Sequence, residues 1–161
     1  MDNGLLFTLP LLSALGTGLV AGTFYAFSSA VMRALAALPA PQGIAAMQSI
    51  NIAVIPWFVL AFLGAGVLSV ATAVVALMHW DEAGAGWALA GGVVYFFGSL
   101  VLTFAFHIPR NNALADMDPA AEQSAAYWTD YVREWTAGNH VRTVASLAAA
   151  VCFILALTAG R

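Results

Sequence analysis

Four stretches of the chain are apolar for long enough to cross a bilayer, and the polar residues gather in the segments that join them. The stretches cover about residues 5–32, 53–78, 87–106 and 140–158. A spanning helix needs about 20 mostly apolar residues. Backbone groups in lipid have to be satisfied within the segment, so apolar runs of this length are helices. The pattern predicts an all-α fold: a single membrane domain over 1–161, built as a four-helix transmembrane bundle.

The connections differ in character. Pro39 and Pro41 break the helix after the first span, and 43–52 has the makings of a short amphipathic helix carrying Gln48 and Asn51. A tight loop around Asp81, Glu82, Gly84 and Gly86 joins the second and third spans. The longest polar stretch, 110–138, holds five of the eight acidic residues. It predicts a longer helical connection from about Pro119, with Asp118 as N-cap. Ala14, Gly18 and Gly22 recur at steps of four, as do Ala61 and Ala65, the spacing that lets helices approach closely in lipid.

Composition sharpens this picture. Hydrophobic residues make up 62% and charged ones 8% of the 161 residues, against roughly a quarter charged in a soluble domain. There is no lysine, and the few arginines form no stripe, which excludes a nucleic-acid footprint. Cys152 is the only cysteine, so no intrachain disulfide can form. The start reads as the first span rather than a cleavable signal, because Asp2 stands where a basic segment belongs and the apolar run from Gly4 to Met32 is too long. Arg33, Arg110, Arg133 and Arg142 share one side, and Asp2, Asp81, Glu82 and Arg161 the other. The positive-inside rule then predicts a multi-pass cell-membrane protein with both termini outside and the first and third connections cytoplasmic.

Polar residues are expensive in a membrane, so their spacing carries information. On the fourth helix Trp128, Tyr131, Trp135, Asn139, Arg142 and Ser146 follow steps of three or four and share a face if the helix runs through Gly138. The third carries Tyr95, Ser99, Thr103 and His107 at steps of four, and the first Tyr25, Ser29 and Arg33. Three stripes aimed at one end of the bundle predict a pocket there. Plainer readings exist for each group. The aromatics Trp128, Tyr131 and Trp135 suit an interfacial belt. Arg110 and Arg133 suit solvated topology signals, and His79 beside Trp80 an outer loop. Asn111 and Asn112 suit partners for backbone groups freed by Pro109. Arg142 either snorkels to the surface or binds an anion.

Trp135 with Asn139-His140-Val141-Arg142-Thr143, and Pro109 with Asn111-Asn112, resemble the motifs of the anthrone-oxygenase-like family of small membrane proteins. Weaker likeness lies in 22–28, Met32 and 47–51, so that the resemblance covers nearly the whole chain. The family often has asparagine where this chain has His107. Known members oxidise a polyketide anthrone to the anthraquinone with dioxygen.

The resemblance implies an oxygenase or oxidase of a hydrophobic aromatic, anthrone-like or phenolic; the cofactor is left open, with none beyond dioxygen as one reading. His140 is then the expected base, since histidine titrates near neutrality, and Arg142 and Asn139 the expected anion stabilisers. Tyr25, Phe106 and Trp135 would wall a flat slot, with Asn51, Asn111 and Asn112 also binding substrate. The expected partners are the lipid bilayer and a small hydrophobic aromatic, with a homo-oligomer left open. Two alternatives compete: a haem- or copper-binding redox protein with His107 and His140 as ligands, and a non-enzymatic scaffold or assembly factor.

Overall fold

The computed structural model describes residues 2–159, with side chains from Gly4 onward. The side chain of Asp2 and the whole of Arg161, both assigned from sequence to the outer side, lie outside the described residues. The fold is all-helical, with four helices long and apolar enough to cross a membrane: α1 (Gly4–Ala36), α3 (Ile55–Met78), α4 (Ala85–Ala115) and α5 (Glu122–Ala159). A shorter helix, α2 (Ala40–Ala53), follows the break at Pro39 and leads into α3. Helix α1 packs between α5 and α3, and α4 closes the ring by packing on α3 and α5.

The chain buries hydroxyls, an amide and a guanidinium within its apolar core and turns large apolar side chains outward. Ser13, Thr17, Ser28, Ser69, Thr72, Ser99, Thr103, Asn139, Arg142 and Ser146 are buried, while Leu15, Leu19, Val67, Met78, Val144 and Leu147 are exposed. Such a surface is satisfied only by lipid, and the chain is a multi-pass membrane protein. With no hydrophobic drive between helices in lipid, close packing and interhelical hydrogen bonds hold the bundle. Ser13 and Thr72 share a hydrogen bond of 2.8 Å between α1 and α3, and Ser99 and Ser146 one of 2.6 Å between α4 and α5.

Small residues set the approach of the helices, but not all those the spacing suggested. A Cβ on Gly18 or Gly22 would meet nothing within 4 Å, and Gly22 is exposed. The close contact of α1 is made by Gly16, where a Cβ would lie 3.1 Å from that of Ala65. Gly98 of α4 faces Ala145 of α5, and Gly92 faces Ala73 of α3, too tightly to admit a side chain. At the α3–α4 turn Gly84 has φ +92°, and a Cβ there would lie 2.5 Å from the carbonyl oxygen of Ala156. Both the left-handed backbone and the contact call for glycine.

Two boundaries depart from the sequence reading, each for a local reason. The third helix does not end near Phe106; it passes Pro109 and continues to Ala115. The turn over Thr103–His107 is wound as a π-helix, and Pro109 falls in the first turn of the α-helical segment that follows. That position tolerates a missing N–H, and the widened turn before it accommodates the proline ring. The helix expected from Pro119 begins at Glu122 instead, after a turn in which Asp118 Oδ1 accepts the N–H of Ala120 at 2.9 Å. It then runs unbroken through Gly138 for 38 residues. At 1.5 Å per residue that is about 57 Å, nearly twice the roughly 30 Å hydrocarbon core. The first half of α5 therefore stands clear of the membrane.

There it forms a cap with α2 and the end of α4. Met32, Leu35, Ile44, Met47, Leu114, Trp128, Tyr131 and Trp135 make its core. Gln48 of α2 donates through Nε2 to the carbonyls of Leu114 and Met117, both at 2.9 Å, satisfying the end of α4. Trp128 and Tyr131, which the sequence also allowed as belt residues, are buried in this cap.

Candidate functional site

Where the cap meets the spans, the buried polar side chains of α1, α4 and α5 come together around Arg142. Arg142 is 3% exposed. Its Nη2 donates to Asn139 Oδ1 at 2.7 Å and its Nη1 to Thr103 Oγ1 at 3.1 Å, while Nε is buried without a partner. The guanidinium stands 4.2 Å from the ring centroid of Phe24 and 5.3 Å from that of Trp135. Asn139 is held in turn: its Nδ2 donates to the carbonyl of Phe24 and to Ser28 Oγ, each at 2.7 Å. Among the described residues the ion pairs are Arg110 with Glu134 and Arg133 with Asp130, so Arg142 has no carboxylate opposite it. A buried guanidinium held only by neutral acceptors and aromatic faces is costly, and it is the arrangement that an incoming anion would relieve.

The π-helical turns place these groups. They lie at Phe27–Val31 of α1, Val59–Leu63 of α3, and Phe96–Val101 and Thr103–His107 of α4. In a regular α-helix a step of four residues overshoots the turn by about 40°, so three such steps drift by about 120°. The wider π turn removes most of that drift. Tyr95, Ser99, Thr103 and His107 therefore all stay on the inner face, and all four are buried.

His107, 1% exposed, lies at the top of that stripe. Its Nδ1 lies 3.5 Å from the carbonyl of Leu102. Nε2 is buried and has no partner. The Trp135 indole meets the His107 ring edge-on at 5.3 Å, and the Phe106 ring does so at 5.1 Å. Gly138 makes room for both Phe106 and His107: a Cβ there would lie 2.6 Å from Phe106 Cε1 and 3.0 Å from His107 Cε1. Phe106 is half-buried, and Arg110, paired with Glu134 at 2.8 Å, covers its ring at 3.6 Å.

Asn111 reaches across to α5, not back to its own backbone. Its Oδ1 accepts from Tyr131 Oη at 2.8 Å and from Trp135 Nε1 at 3.0 Å. Asn51, at the end of α2, has a buried Nδ2 without a partner.

Of the residues singled out from sequence, the structure thus gathers Arg142, Asn139, Trp135, Phe106, Asn111 and His107. Three others fall elsewhere. His140 is exposed on the far side of α5, because one residue turns a helix by about 100° from the inward-facing Asn139. Tyr25 is 64% exposed and Asn112 is exposed. The α1 stripe Tyr25, Ser29, Arg33 faces outward, and the inward face is Phe24, Ser28 and Met32. Phe24 and Ser28 were missed, although Ser13, Thr17, Phe24 and Ser28 keep steps of three or four through 20–21 and announce that face. His107 is buried and His140 exposed, so the two do not form a ligand pair for haem or copper. No three His, Cys, Asp or Glu side chains among the described residues come together as a metal-ligand set.

Two hollows lie away from the cluster. One is a cleft of about 340 Å³ at the opposite end of the bundle, lined by Leu9, Pro10, Thr72, His79, Glu82 and Ala156 among others. The other is an open apolar groove of about 900 Å³ between α3 and α4. Neither is lined by Arg142, Trp135 or His107, so neither is the pocket expected from the three stripes.

The model of the family described as Anthrone oxygenase matches residues 57–152, more than half of the chain. The chain belongs to the anthrone oxygenase family. Neither the curated proteins nor the solved structures contain a match to it. The part that matches the anthrone oxygenase family includes Thr103, His107, Asn111, Trp135, Asn139 and Arg142, whereas Phe24, Ser28 and Asn51 precede it. Phe24 and Ser28 of α1 thus complete a cluster whose other polar groups are carried by α4 and α5.

Proposed function

We propose that this chain is a membrane oxygenase that turns an acidic CH2 of a flat hydrophobic aromatic, of the anthrone class, into a carbonyl with dioxygen. The observation that carries the proposal is Arg142: a buried cation with no carboxylate partner among the described residues and Nε unpaired, over the ring of Trp135, which also meets His107 with its unpaired Nε2. Family membership supports the same chemistry.

In this reading the substrate gives the proton of its ring CH2 to His107 Nε2 and becomes an anion whose charge rests largely on the ring oxygen. Arg142, steered by Asn139 and Thr103, holds that oxygen. A fixed cation in a dry site stabilises developing charge far better than it would in water. The anion passes one electron to dioxygen, and the carbon radical and superoxide join to form a C–O bond, the peroxide taking up a proton. Loss of water from this hydroperoxide leaves the new carbonyl. One oxygen atom enters the product and the other leaves as water, so the substrate supplies every electron that dioxygen accepts.

His107, rather than the exposed His140, is the base on this account. Trp135 and Phe106 are the walls of the slot. Phe106 sits at the rim, and its ring has to swing aside to admit a planar substrate, which arrives from the lipid. Asn51 Nδ2 offers a further donor at the cap side. By the positive-inside rule this end of the bundle faces the cytoplasm.

The test is oxygen uptake by purified protein in detergent, given an anthrone, with the quinone measured by absorbance. Uptake matched one-to-one by quinone, and lost in Arg142→Leu, is expected. Anthrone that oxidises no faster with the protein than without it would sink the proposal.

A further inference from the structure

Asn111 spends its amide oxygen on two donors from α5, and one of them is the indole that touches both polar groups of the site. Trp135 is buried, and its ring is fixed on three sides: face toward Arg142, perpendicular to the ring of His107, and tilted against Phe27 at 5.9 Å. The remaining freedom is a rotation about the two side-chain torsions, which would carry the indole N–H away from Oδ1. The 3.0 Å bond to Asn111 locks that rotation, and Tyr131, bonded to the same oxygen at 2.8 Å, holds the amide in place. Two donors on one amide oxygen also settle which way the amide faces.

Local structure explains why Asn111 can do this. It lies just past Pro109, on the part of α4 that exists because the helix passes the proline through a π turn. Had the helix stopped at the proline, no acceptor would reach Trp135 from this side.

We infer that Asn111 is a positioning residue: it sets the orientation of the Trp135 indole, and through it the spacing of His107 and Arg142 around the reacting carbon. The inference rests on the function proposed above. It replaces a direct substrate contact for Asn111 with an indirect role, since its oxygen is already occupied.

Three variants test it: Asn111→Leu removes both bonds, Asn111→Asp keeps an accepting oxygen, and Tyr131→Phe removes only the neighbour. Two readouts are needed, kcat and KM for anthrone oxidation, and the indole N–H band of Trp135 in ultraviolet resonance Raman, identified by its loss in Trp135→Phe. Asn111→Leu should shift the band to that of a free indole N–H and lower kcat by about a hundredfold, with a much smaller change in KM, since misplacement of about 1 Å costs that much. Asn111→Asp should restore both, and Tyr131→Phe should keep the bonded band. An unshifted band in Asn111→Leu, or wild-type kcat with a shifted band, overturns the positioning role while leaving the proposed function standing. Wild-type protein inert toward anthrones overturns the proposed function and this role with it.

Discussion

Replacing Arg142 with leucine should separate activity from stability. The guanidinium gains two charge-assisted hydrogen bonds, to Asn139 at 2.7 Å and Thr103 at 3.1 Å. Bonds of this kind are worth about 1.5–3 kcal/mol each. Against them stands the desolvation of a cation that is 3% exposed and has no carboxylate beside it, a cost of several kcal/mol. The two sides nearly cancel. Leucine removes both and leaves Asn139 Oδ1 as the one new orphan, at about 1–3 kcal/mol, because Thr103 can turn its hydroxyl to its own helix. The net change in stability should therefore stay within about 2 kcal/mol. Loss of the group that holds the developing oxyanion should cut kcat by about 10²–10³, or about 2.7–4 kcal/mol. Thermal unfolding in detergent and steady-state oxygen uptake on the same preparation give both numbers. Undiminished turnover would refute the anion-binding role; collapse of the fold would show that the guanidinium is a structural strut.

The histidines should separate cleanly. His107→Ala should abolish turnover, whereas His140→Ala, on the exposed face of α5, should leave it intact; the reverse result would restore His140 as base. His107→Asn, which keeps a polar side chain but no basic nitrogen, tests whether a base is needed there: turnover at the wild-type level would mean that Arg142 alone acidifies the substrate. Gly98→Ala should destabilise the bundle by about 1–3 kcal/mol, since the new methyl meets Ala145 where neither backbone can give. Gly18→Ala, with open space around it, should be neutral by the same unfolding measurement.

How much was legible follows from these elements. The four spans were, because a bilayer fixes helix length and a long apolar run has no other use. The inner face of α5 was, because Trp128 to Ser146 keeps its period through Gly138. On α1 the polar residues Tyr25, Ser29 and Arg33 misled by one position: Tyr25 and Arg33 are exposed and Ser29 half-buried, while Phe24, Ser28 and Met32 face inward. His140 misled for the same reason, a step of one residue from Asn139. The π turns left no mark that residue spacing alone could show. A step of four at Tyr95, Ser99, Thr103 and His107 reads equally as a drifting α-helix, and only the backbone reveals that the stripe stays straight. The reach of Asn111 to Trp135 was hidden by Pro109, which signals a helix end far more often than a helix continued.

The central claim is that Arg142 receives the anion of a flat aromatic, and the absorption spectrum of a bound ligand tests it most directly. A planar phenol, such as a hydroxyanthracene, is titrated into purified protein at a pH where the free phenol is neutral. The red-shifted phenolate band should grow with occupancy of the wild-type protein and be missing in Arg142→Leu. A ligand that binds the wild-type protein yet keeps its neutral spectrum would contradict it.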